Sequence, residues 1–395
     1  MGCVTNGHIV KIALIGTRGI PAAYSGFETA VQHLAEQFTE RGHEVVVYCR
    51  PHMTEKRDAH AGARLVHLPT VKNKYLDTIV HTAVSTGHMV TKDRPDVAIY
   101  FIAGNAPVVP FARMAGVPSI LQIDGMDSER AKWPKTARTM IRQAEHMSAA
   151  AATIAVTDSE SVADLYEARF GRRILSIPYG ADLPDPGTTA ECERLGVEPG
   201  RFILFVGRLV PENNAHLLVE AHRLLAPDWP LVIVGDAPYA DDYIAELKAA
   251  ASPAVIFPGY VFGDGYAELV HRCGLMCAPT EVGGTHPVII EAMAAGAPLI
   301  VSDHAPNQEV VGDSAATFAL AGGAEALAVV MGDLLDDPAR RAALGAAAAE
   351  RARERFGWDT CADRYLAIAE TITRSGRHRL PEHLLDGAQP PKEAA

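Results

Sequence analysis

The chain is organised around residues 275–296, which read LMCAPTEVGGTHPVIIEAMAAG. The apolar run Leu275–Ala278 predicts a buried strand of a parallel sheet. A Gly-Gly-Thr turn follows, and Pro287 stands where a helix would begin. Proline suits that position because the N–H that it lacks would have been unpaired there. The stretch therefore predicts a strand, a tight turn and a helix, which is the repeating unit of an α/β domain.

The turn and the helix start form a candidate ligand site. The free N–H groups and the dipole of a helix that begins at Pro287 suit a phosphate or sugar oxygen. The absence of side chains at Gly283 and Gly284 lets a ligand lie against the backbone. Glu291 falls one helical turn beyond Pro287 on the same face, where its carboxylate could accept hydrogen bonds from sugar hydroxyls. The alternative is an ordinary loop with glycines for turning and a solvated glutamate.

Length and composition predict a soluble globular protein of two domains. The chain has 395 residues, of which 21% are charged and 48% hydrophobic, and this length exceeds one ordinary core. The net charge of −12 argues against a nucleic-acid partner, which would need a basic face. No apolar run approaches the ~20 residues of a membrane-spanning helix, and the N-terminus lacks the apolar core of a signal peptide.

Cysteines and histidines are scattered along the chain. The six cysteines lie mostly in or beside apolar runs, and none belongs to a Cys-x-x-Cys pair. The sixteen histidines include no His-Glu-x-x-His motif. We therefore expect a reduced cytosolic protein with no metal site and no cofactor other than its substrates.

Apolar runs and helical periods alternate through two successive parts of the chain. This alternation predicts two doubly wound, Rossmann-like α/β domains, with a ligand cleft between the carboxyl ends of their strands. We expect an N-terminal domain at 1–180, a linker at 181–200, a C-terminal domain at 201–356 that ends in an alanine-rich helical tail over 324–356, a helix at 357–376 that could cross back to the first domain, and a disordered tail at 377–395.

The loop after the first strand, 16–26, does not match a dinucleotide-binding motif. Gly16-x-x-Gly19 is not Gly-x-Gly-x-x-Gly, and Pro21 follows where that motif needs a helix. The second strand also ends at Arg50, where the ribose-binding acid would be expected. Instead, the loop could cover a diphosphate with Arg18 and with a glycine point at Gly26, or it could be an ordinary loop.

Two further residues follow predicted strands and are candidates for the site. Arg208 comes directly after the first strand of the second domain, where a guanidinium could grip two phosphate oxygens or simply be solvated. Asp124 follows a strand of the first domain and could supply a carboxylate to the opposite wall of the cleft. Asp124-x-x-Asp127 is a weak signal for a metal.

A basic stretch in the first domain has two interpretations. Residues 130–142 contain several arginines and lysines together with Trp133 and Met140. They could lie on anionic lipid headgroups as an amphipathic face, or they could form a solvated helix face.

Together these features resemble the retaining glycosyltransferases of the GT-B fold, family 4. More narrowly, they are similar to the bacterial rhamnosyltransferase-type branch that builds surface polysaccharide. The resemblance covers about residues 9–375. Its motifs are 15–21 (Ile-Gly-Thr-Arg-Gly-Ile-Pro), 26–29 (Gly-Phe-Glu-Thr), 123–125 (Ile-Asp-Gly), 130–133 (Arg-Ala-Lys-Trp), 177–182 (Ile-Pro-Tyr-Gly-Ala-Asp), 208–214 (Arg-Leu-Val-Pro-Glu-Asn-Asn) and 282–285 (Val-Gly-Gly-Thr).

The resemblance implies a role for each matching residue. Arg208 would meet the donor diphosphate, and Glu291 matches the last glutamate of the family's Glu-x7-Glu element, which binds the nucleotide ribose. The backbone of 283–286 would hold the pyrophosphate and sugar, and Gly26 would lie near the donor phosphates. Asp124 matches a region where many relatives place a histidine at the sugar. The candidate catalytic residues are Arg208, Asp124 and Glu281, and the candidate donor-binding residues are Gly16, Arg18, Gly26, Arg208, Gly283, Gly284, Thr285, His286 and Glu291.

Three positions depart from the family pattern. Gly283 stands where the first glutamate of Glu-x7-Glu would fall, and Glu281, two positions earlier, is the candidate substitute. Asn213 replaces the lysine that usually partners the arginine, and Ser25 stands where a Gly-Gly pair is common. The rhamnosyltransferase-type branch shares the first two features, so we interpret them as characters of the subgroup.

The resemblance implies a metal-independent transferase that moves a hexosyl unit to a lipid-linked saccharide acceptor in surface polysaccharide synthesis. The expected donor is dTDP-rhamnose, and the expected location is the cytoplasm, with peripheral contact at the inner membrane leaflet. Two alternatives remain open. One is a sugar-nucleotide epimerase of the same fold, and the other is a non-catalytic nucleotide-sugar-binding subunit, which Asn213 and Gly283 favour.

Overall fold

A computed structural model of the chain describes residues 9–21, 26–73, 76–126, 128, 135–237 and 240–375. Within these residues the chain divides into two compact units. The first unit contains the described residues of 9–128, 135–180 and 358–375, and the second contains those of 181–357. Each unit is a parallel sheet with helices on both faces, so the predicted doubly wound α/β fold is confirmed.

Strands and helices alternate through the first unit. They are β1 (Lys11–Ile15), α1 (Gly26–Glu40), β2 (Glu44–Cys49), β3 (Ala59–His60), β4 (Ala63–His67), α2 (Asp77–His88), β5 (Val97–Phe101), α3 (Val109–Met114), β6 (Ser119–Ile123), α4 (Lys135–Ala151), β7 (Ile154–Thr157), α5 (Glu160–Phe170) and β8 (Leu175–Ser176). The sheet in the described residues has the order β3-β4-β2-β1-β5-β6-β7-β8. Its pairs are parallel except β3–β4, which is a short antiparallel hairpin.

Alternate residues of each strand enter different cores. In β1, Ile12 and Leu14 pack with α1, whereas Ala13 and Ile15 face the core that includes buried residues of α3, α4 and α5. A parallel sheet that is covered on both faces requires apolar residues at successive positions, which explains the near-continuous apolar runs in the sequence. The order of the strands reverses between β1 and β5, so the loop after β1 leaves the sheet at a switch point, where ligands bind in such folds.

The second unit repeats the plan. Its elements are α6 (Ala190–Leu195), β9 (Ile203–Val206), α7 (Ala215–Leu225), β10 (Leu231–Val234), α8 (Asp241–Ala250), β11 (Val255–Gly259), α9 (Gly263–Arg272), β12 (Leu275–Ala278), α10 (Pro287–Ala294), β13 (Leu299–Ser302), α11 (Ala305–Val311), β14 (Ala316–Phe318), α12 (Gly323–Asp336) and α13 (Pro338–Arg355). The sheet in the described residues runs β11-β10-β9-β12-β13-β14, all parallel. Its switch point lies between β9 and β12.

The last helix, α14 (Trp358–Ser375), belongs to the first unit and packs on α1. The Trp358 ring stacks on His33 with 4.6 Å between ring centroids. A Cβ on Gly180 would lie 2.4 Å from that same indole, so only glycine fits there. The Tyr365 hydroxyl donates a hydrogen bond of 2.5 Å to Gln122 Oε1 on β6. The helix therefore completes one face of the first sheet.

The structure differs from the sequence predictions at several places. Residues 181–200, predicted as a linker, include α6, which packs on α9 and buries Cys192. The predicted helical tail over 324–356 is two helices, because Asp337 caps α13 by accepting the Arg340 N–H and Pro338 starts a new helix. The predicted disordered tail at 377–395 lies outside the described residues.

Candidate functional site

Arg208 lies at the switch point of the second sheet. It follows Gly207 at the carboxyl end of β9, which pairs with both β10 and β12, and its side chain is partly exposed. The Asn213 amide donates a hydrogen bond of 2.8 Å to the Arg208 carbonyl oxygen. Asn213 therefore stabilises the conformation of the loop that carries Arg208.

The loops after β9 and β12 are joined to each other. The Glu281 N–H donates to the Glu212 carbonyl oxygen at 3.2 Å. Asn214, in the left-handed conformation before α7, donates its side-chain amide to the Pro279 carbonyl oxygen at 3.0 Å. These bonds bring Arg208 and the Gly-Gly-Thr turn to the same edge of one sheet.

The Gly-Gly-Thr turn is fixed before α10 begins. Gly283 has φ +126°, a conformation that side chains other than glycine's rarely adopt. His304 Nε2 lies 3.2 Å from the Gly283 carbonyl oxygen, and a carbonyl only accepts, so that nitrogen carries the proton. Gly284 and Thr285 are buried, and His286 is partly buried. Pro287, which has no N–H, is the first residue of α10, and the Ile289 N–H donates to the His286 carbonyl oxygen at 2.9 Å. The positive end of the helix dipole lies at this start and suits a phosphate or sugar oxygen.

A buried polar network supports the start of this turn. The Asn307 side-chain amide donates to Thr280 Oγ1 at 3.0 Å and to Ser302 Oγ at 2.9 Å. The Ser302 hydroxyl donates to the Thr280 carbonyl oxygen at 2.5 Å. All three residues are buried, so the ends of β12 and β13 are held together beneath the turn.

Glu291 lies in the second turn of α10 and has a partner that the sequence did not predict. The Tyr266 hydroxyl on α9 donates a short hydrogen bond to Glu291 Oε2. Burial raises the pKa of the Glu291 carboxyl, and the bond from Tyr266 lowers it in part. Burial and the neighbouring carboxylate raise the pKa of the Tyr266 phenol well above its usual value. Tyr266 therefore orients one carboxylate oxygen.

Glu281 is exposed, whereas the turn beside it is largely covered. Burial lowers the pKa of the His216 imidazole, and the charge of Glu281 opposes part of that shift. His216 Nδ1 lies 3.0 Å from the Tyr243 hydroxyl. Glu281 is therefore placed at the same sheet edge as Arg208, on the side of α7 and α8.

In the first unit, the predicted loop residues lie at the carboxyl end of β1. A Cβ on Gly16 would lie 2.7 Å from the Phe101 carbonyl oxygen, so close packing alone explains this glycine. The Arg18 N–H donates to Glu28 Oε1 at 3.0 Å, and Glu28 is buried on α1. Gly26 is the first residue of α1. The buried carboxylate of Glu28 on the following helix therefore anchors the loop. The sequence analysis did not predict this contact.

Asp124 follows β6 and lies near the Tyr179 phenol and the Asp158 carboxylate. It is partly buried. Burial raises the pKa of the Tyr179 phenol well above its usual value, and the carboxylates of Asp158 and Asp124 raise it further. Asp158 directly follows β7 and is buried, so it joins Asp124 at the carboxyl edge of adjacent strands. Its position after a strand was the signal that could have identified it.

A second polar cluster, also missed from the sequence, lies after β2. Arg50 Nη1 is 3.0 Å from Asp77 Oδ2, and both side chains are largely buried. His81 is fully buried, and its Nε2 donates to the Cys49 carbonyl oxygen at 3.1 Å. Burial and, to a smaller extent, the Arg50 charge lower the pKa of His81 to about 4, so it is neutral at pH 7. The Arg50 N–H donates to the Arg18 carbonyl oxygen at 2.9 Å, which ties the cluster to the first loop.

The structure thus groups the predicted residues by unit. Arg208, Glu281, the turn 283–286 and Glu291 lie around the carboxyl edge of the second sheet, whereas Gly16, Arg18, Gly26 and Asp124 lie at that of the first. In the part of the chain that the structure describes, no three His, Cys, Asp or Glu side chains are grouped as metal ligands would be. No helix there is long and apolar enough to span a bilayer.

Comparison with known proteins gives the family. Residues 25–180 match the model of the glycosyl transferase 4-like domain, and residues 192–351 match that of the glycosyl transferases group 1. The chain belongs to the family 4 glycosyltransferases of the GT-B fold. The fold is that of sucrose-phosphate synthase from Thermosynechococcus elongatus, with a TM-score of 0.76 at 20% identity over 93% of this chain and 100% of that one.

Other members of the glycosyltransferase family are similar over nearly the whole chain. The GDP-mannose-dependent alpha-(1-6)-phosphatidylinositol monomannoside mannosyltransferase of Mycolicibacterium smegmatis is 26% identical over 92% of this chain and 98% of its own. Glycogen synthase of Mycobacterium tuberculosis is 27% identical over 95% of this chain and 99% of its own. The names of these relatives give no support to the rhamnosyltransferase branch that the sequence predicted.

Proposed function

We propose that this glycosyltransferase transfers a hexosyl unit, with retention of configuration, from a nucleoside diphosphate sugar to a saccharide acceptor on a lipid carrier. The observation that supports the proposal is the grouping at one sheet edge of Arg208, the turn 283–286 and Glu291. A cation, the backbone of a glycine turn at a helix start and a carboxylate match the diphosphate, the sugar and the ribose of such a donor.

In this proposal the second unit stabilises the leaving group. As the bond between the sugar C1 and the phosphate oxygen breaks, negative charge develops on the diphosphate. The Arg208 guanidinium and the positive dipole end of α10 stabilise that charge, and Glu291 accepts hydrogen bonds from the ribose hydroxyls. A phosphate oxygen of the leaving group takes the proton of the acceptor hydroxyl. Asp124 in the first unit is proposed to contact the sugar.

Two candidate donors are suggested by two different observations. The sequence resemblance favours dTDP-rhamnose, whereas the mycobacterial relative of 26% identity is named for its dependence on GDP-mannose. The two donors differ in both base and sugar, so a binding assay separates them. The loops that hold the diphosphate are the same in either case.

The test is a thermal-shift screen across dTDP-rhamnose, GDP-mannose and UDP-glucose, followed by turnover with extracted acceptor lipids. A donor that binds the folded chain raises its melting midpoint. At a concentration one hundred times Kd, binding stabilises the folded chain by about 2.7 kcal/mol. The proposal requires that the donor which stabilises most also yields a glycosylated lipid.

Product analysis decides between the proposal and its two rivals. An epimerase releases free nucleotide or an epimerised donor when no acceptor is present. A non-catalytic nucleotide-sugar-binding subunit binds a donor tightly and turns nothing over with any acceptor. Either result would replace the transferase proposal.

A further inference from the structure

The loop after β13 is joined to the Gly-Gly-Thr turn by one side chain. His304 directly precedes α11, and its Nε2 donates to the Gly283 carbonyl oxygen at 3.2 Å. β12 and β13 are parallel neighbours in the second sheet, so the loops that follow them leave the sheet at the same edge. The buried network of Thr280, Ser302 and Asn307 joins the beginnings of these loops, and the bond from His304 joins them further on, within the turn itself.

The backbone that carries His304 is itself held in place. The Asp303 N–H donates to the Phe318 carbonyl oxygen of β14 at 3.0 Å, and Asp303 Oδ1 accepts the Leu320 N–H at 3.1 Å. On the other side of His304, its carbonyl oxygen accepts the Gln308 N–H of α11 at 3.1 Å. The imidazole, which is partly buried, is therefore carried by a backbone that is held on both sides.

The bond to Gly283 also sets the direction of the next N–H group. The Gly283–Gly284 peptide bond is trans, so the Gly284 N–H points opposite to the Gly283 carbonyl and away from His304. Gly284 is buried, and within the described residues its N–H makes no hydrogen bond. Buried N–H groups are normally paired, and without side chains at these two positions an oxygen from outside the chain can reach this one.

We infer that His304 is a positioning residue, which holds the Gly283 carbonyl so that the Gly284 N–H is directed at the diphosphate before the nucleotide sugar binds. An N–H group that is already in place stabilises developing negative charge without reorganisation at the moment of reaction. The inference rests on the proposed function, which supplies the diphosphate. It adds a residue outside the turn 283–286 on which the geometry of that turn depends.

The first test measures binding of free dTDP, GDP and UDP to the full chain by calorimetric titration, in the parent and in His304→Leu. Leucine cannot donate, so the Kd of the nucleotide that the parent binds most tightly should rise at least about tenfold. With the corresponding sugar donor, kcat/KM should fall by about ten- to a hundredfold, because a small misplacement of a positioning group can cost that much. An unchanged Kd overturns the inference.

Two amide variants test the N–H of His304 itself. His304→Gln keeps an N–H at a similar reach and should hold Kd within about threefold of the parent's. His304→Asn is shorter by one methylene and should lose affinity as His304→Leu does. It also takes the place of His304→Leu if that variant fails to fold. Equal losses in the glutamine and asparagine variants would show that the ring, and not its hydrogen bond, supports the turn, and the inference would be wrong.

His271→Leu is the matched control within the same unit. His271 Nε2 also donates to a backbone carbonyl oxygen, that of Leu183, at 2.7 Å. His271 lies near the end of α9, shortly before β12 begins, and therefore at the edge of the second sheet opposite the turn. His271→Leu should lose stability as His304→Leu does, but its Kd should change less than about twofold. A similar rise of Kd in both leucine variants would reduce His304 to a residue of general stability.

Hydrogen exchange of the free chain gives a readout that needs no nucleotide. Exchange over the turn 283–286 should speed up in His304→Leu and His304→Asn, but not in His271→Leu. If exchange responds in this way while no nucleotide binds the parent, the proposed function fails and the positioning of the turn by His304 stands. If the parent turns over a donor while neither exchange nor Kd responds to the variants of His304, the proposed function stands and the inference is overturned.

Discussion

Arg208 follows β9, and the Asn213 amide holds its carbonyl oxygen at 2.8 Å. If its guanidinium neutralises the leaving diphosphate, Arg208→Ala should lower kcat/KM by about 100- to 1000-fold, the usual cost of one donor that stabilises developing charge. Arg208→Lys should recover part of the loss, because an ammonium keeps the charge but not the two-pronged geometry. Steady-state kinetics with the donor found in the screen checks both.

The control for this prediction is Arg223→Ala. Arg223 is exposed on α7 and pairs with Glu220 at 2.6 Å, so its removal should change kcat/KM less than about twofold and stability by under about 1 kcal/mol. Unchanged kcat/KM in Arg208→Ala would remove this arginine from the proposed mechanism.

Glu291 links donor binding to pH-dependent stability. Burial raises the pKa of its carboxyl above the usual 4.5, so the folded chain takes up this proton more readily than the unfolded chain. The stability that this contributes is present at low pH and is lost as pH rises from about 4.5 through the raised pKa. Glu291→Gln should therefore raise the Tm, relative to the parent, more at pH 7 than at pH 4. Differential scanning fluorimetry across that range measures the difference.

The same substitution should weaken the binding of the donor. Hydrogen bonds to a charged group contribute about 1.5–3 kcal/mol each, so the KM for the donor should rise by about ten- to a hundredfold in Glu291→Gln. Glu281→Gln is the informative comparison, because Glu281 is exposed at the same sheet edge. A similar loss in both variants would assign Glu281 a role in place of the missing carboxylate at Gly283.

At the scale of elements, β2 and α2 are joined by the buried ion pair of Arg50 and Asp77. Asp77→Ala leaves the guanidinium charge buried and unpaired, which typically costs about 3–5 kcal/mol of unfolding free energy. Asp363→Ala breaks another ion pair of the same unit, that of Arg41, at 3.0 Å, but Asp363 is exposed. Its loss should cost under about 1 kcal/mol. Chemical denaturation of the two variants gives the comparison, and equal losses would contradict it.

His81, which joins α2 to the end of β2, should make the unfolding free energy decrease at acid pH. Its pKa is about 4 in the folded chain, so below the usual 6.5 the unfolded chain takes up more protons at this site. The stability that neutral His81 contributes is therefore lost as pH falls from about 6.5 towards 4. His81→Gln should flatten the decline of unfolding free energy over that interval. A slope identical to the parent's would show that other groups control the decline.

Helices and strands could be predicted from the sequence where a local pattern of residues marks them. The buried strands were predictable because a sheet covered on both faces leaves near-continuous apolar runs such as Leu275–Ala278. A strand at 65–68 was predictable and corresponds to β4, whereas β3, its antiparallel partner, was missed because it has only two residues and neither is buried. The break between α12 and α13 was missed because the alanine-rich composition of 324–356 favours one long helix, although Asp337 and Pro338 are local signals of a helix start.

The site was predictable only in part, for a related reason. A glycine turn before a proline-started helix is a local signal, so the position of the turn 283–286 could be predicted. The hydrogen bond from Tyr266 to Glu291 and the anchoring of Arg18 by Glu28 join different elements. Such contacts follow from the packing of helices on a sheet, and no spacing along the chain records them.

At the scale of the whole molecule, the chain leaves the first unit after residue 180 and returns to it with α14. That helix buries Tyr365, Leu366, Ile368 and Ile372 in the core of the first sheet. Fully burying a large apolar side chain contributes about 1.5–3 kcal/mol, and a domain is stable by only about 5–15 kcal/mol. A chain that ends at Arg355 should therefore lose the folded first unit. Calorimetry should show its transition missing, and limited proteolysis should cut within 9–180 first.

A milder variant makes the same prediction quantitative. Tyr365→Phe keeps the ring buried and removes the hydroxyl that donates to Gln122, so it should cost about 1 kcal/mol, or more because Gln122 is left without that donor. Val329→Ser on α12, exposed in the second unit, should leave the first unit's transition unmoved. Since α14 follows the entire second unit in sequence, the first unit cannot be complete until the whole chain is made. A first unit that folds with unchanged stability when expressed as 1–180 would contradict this dependence.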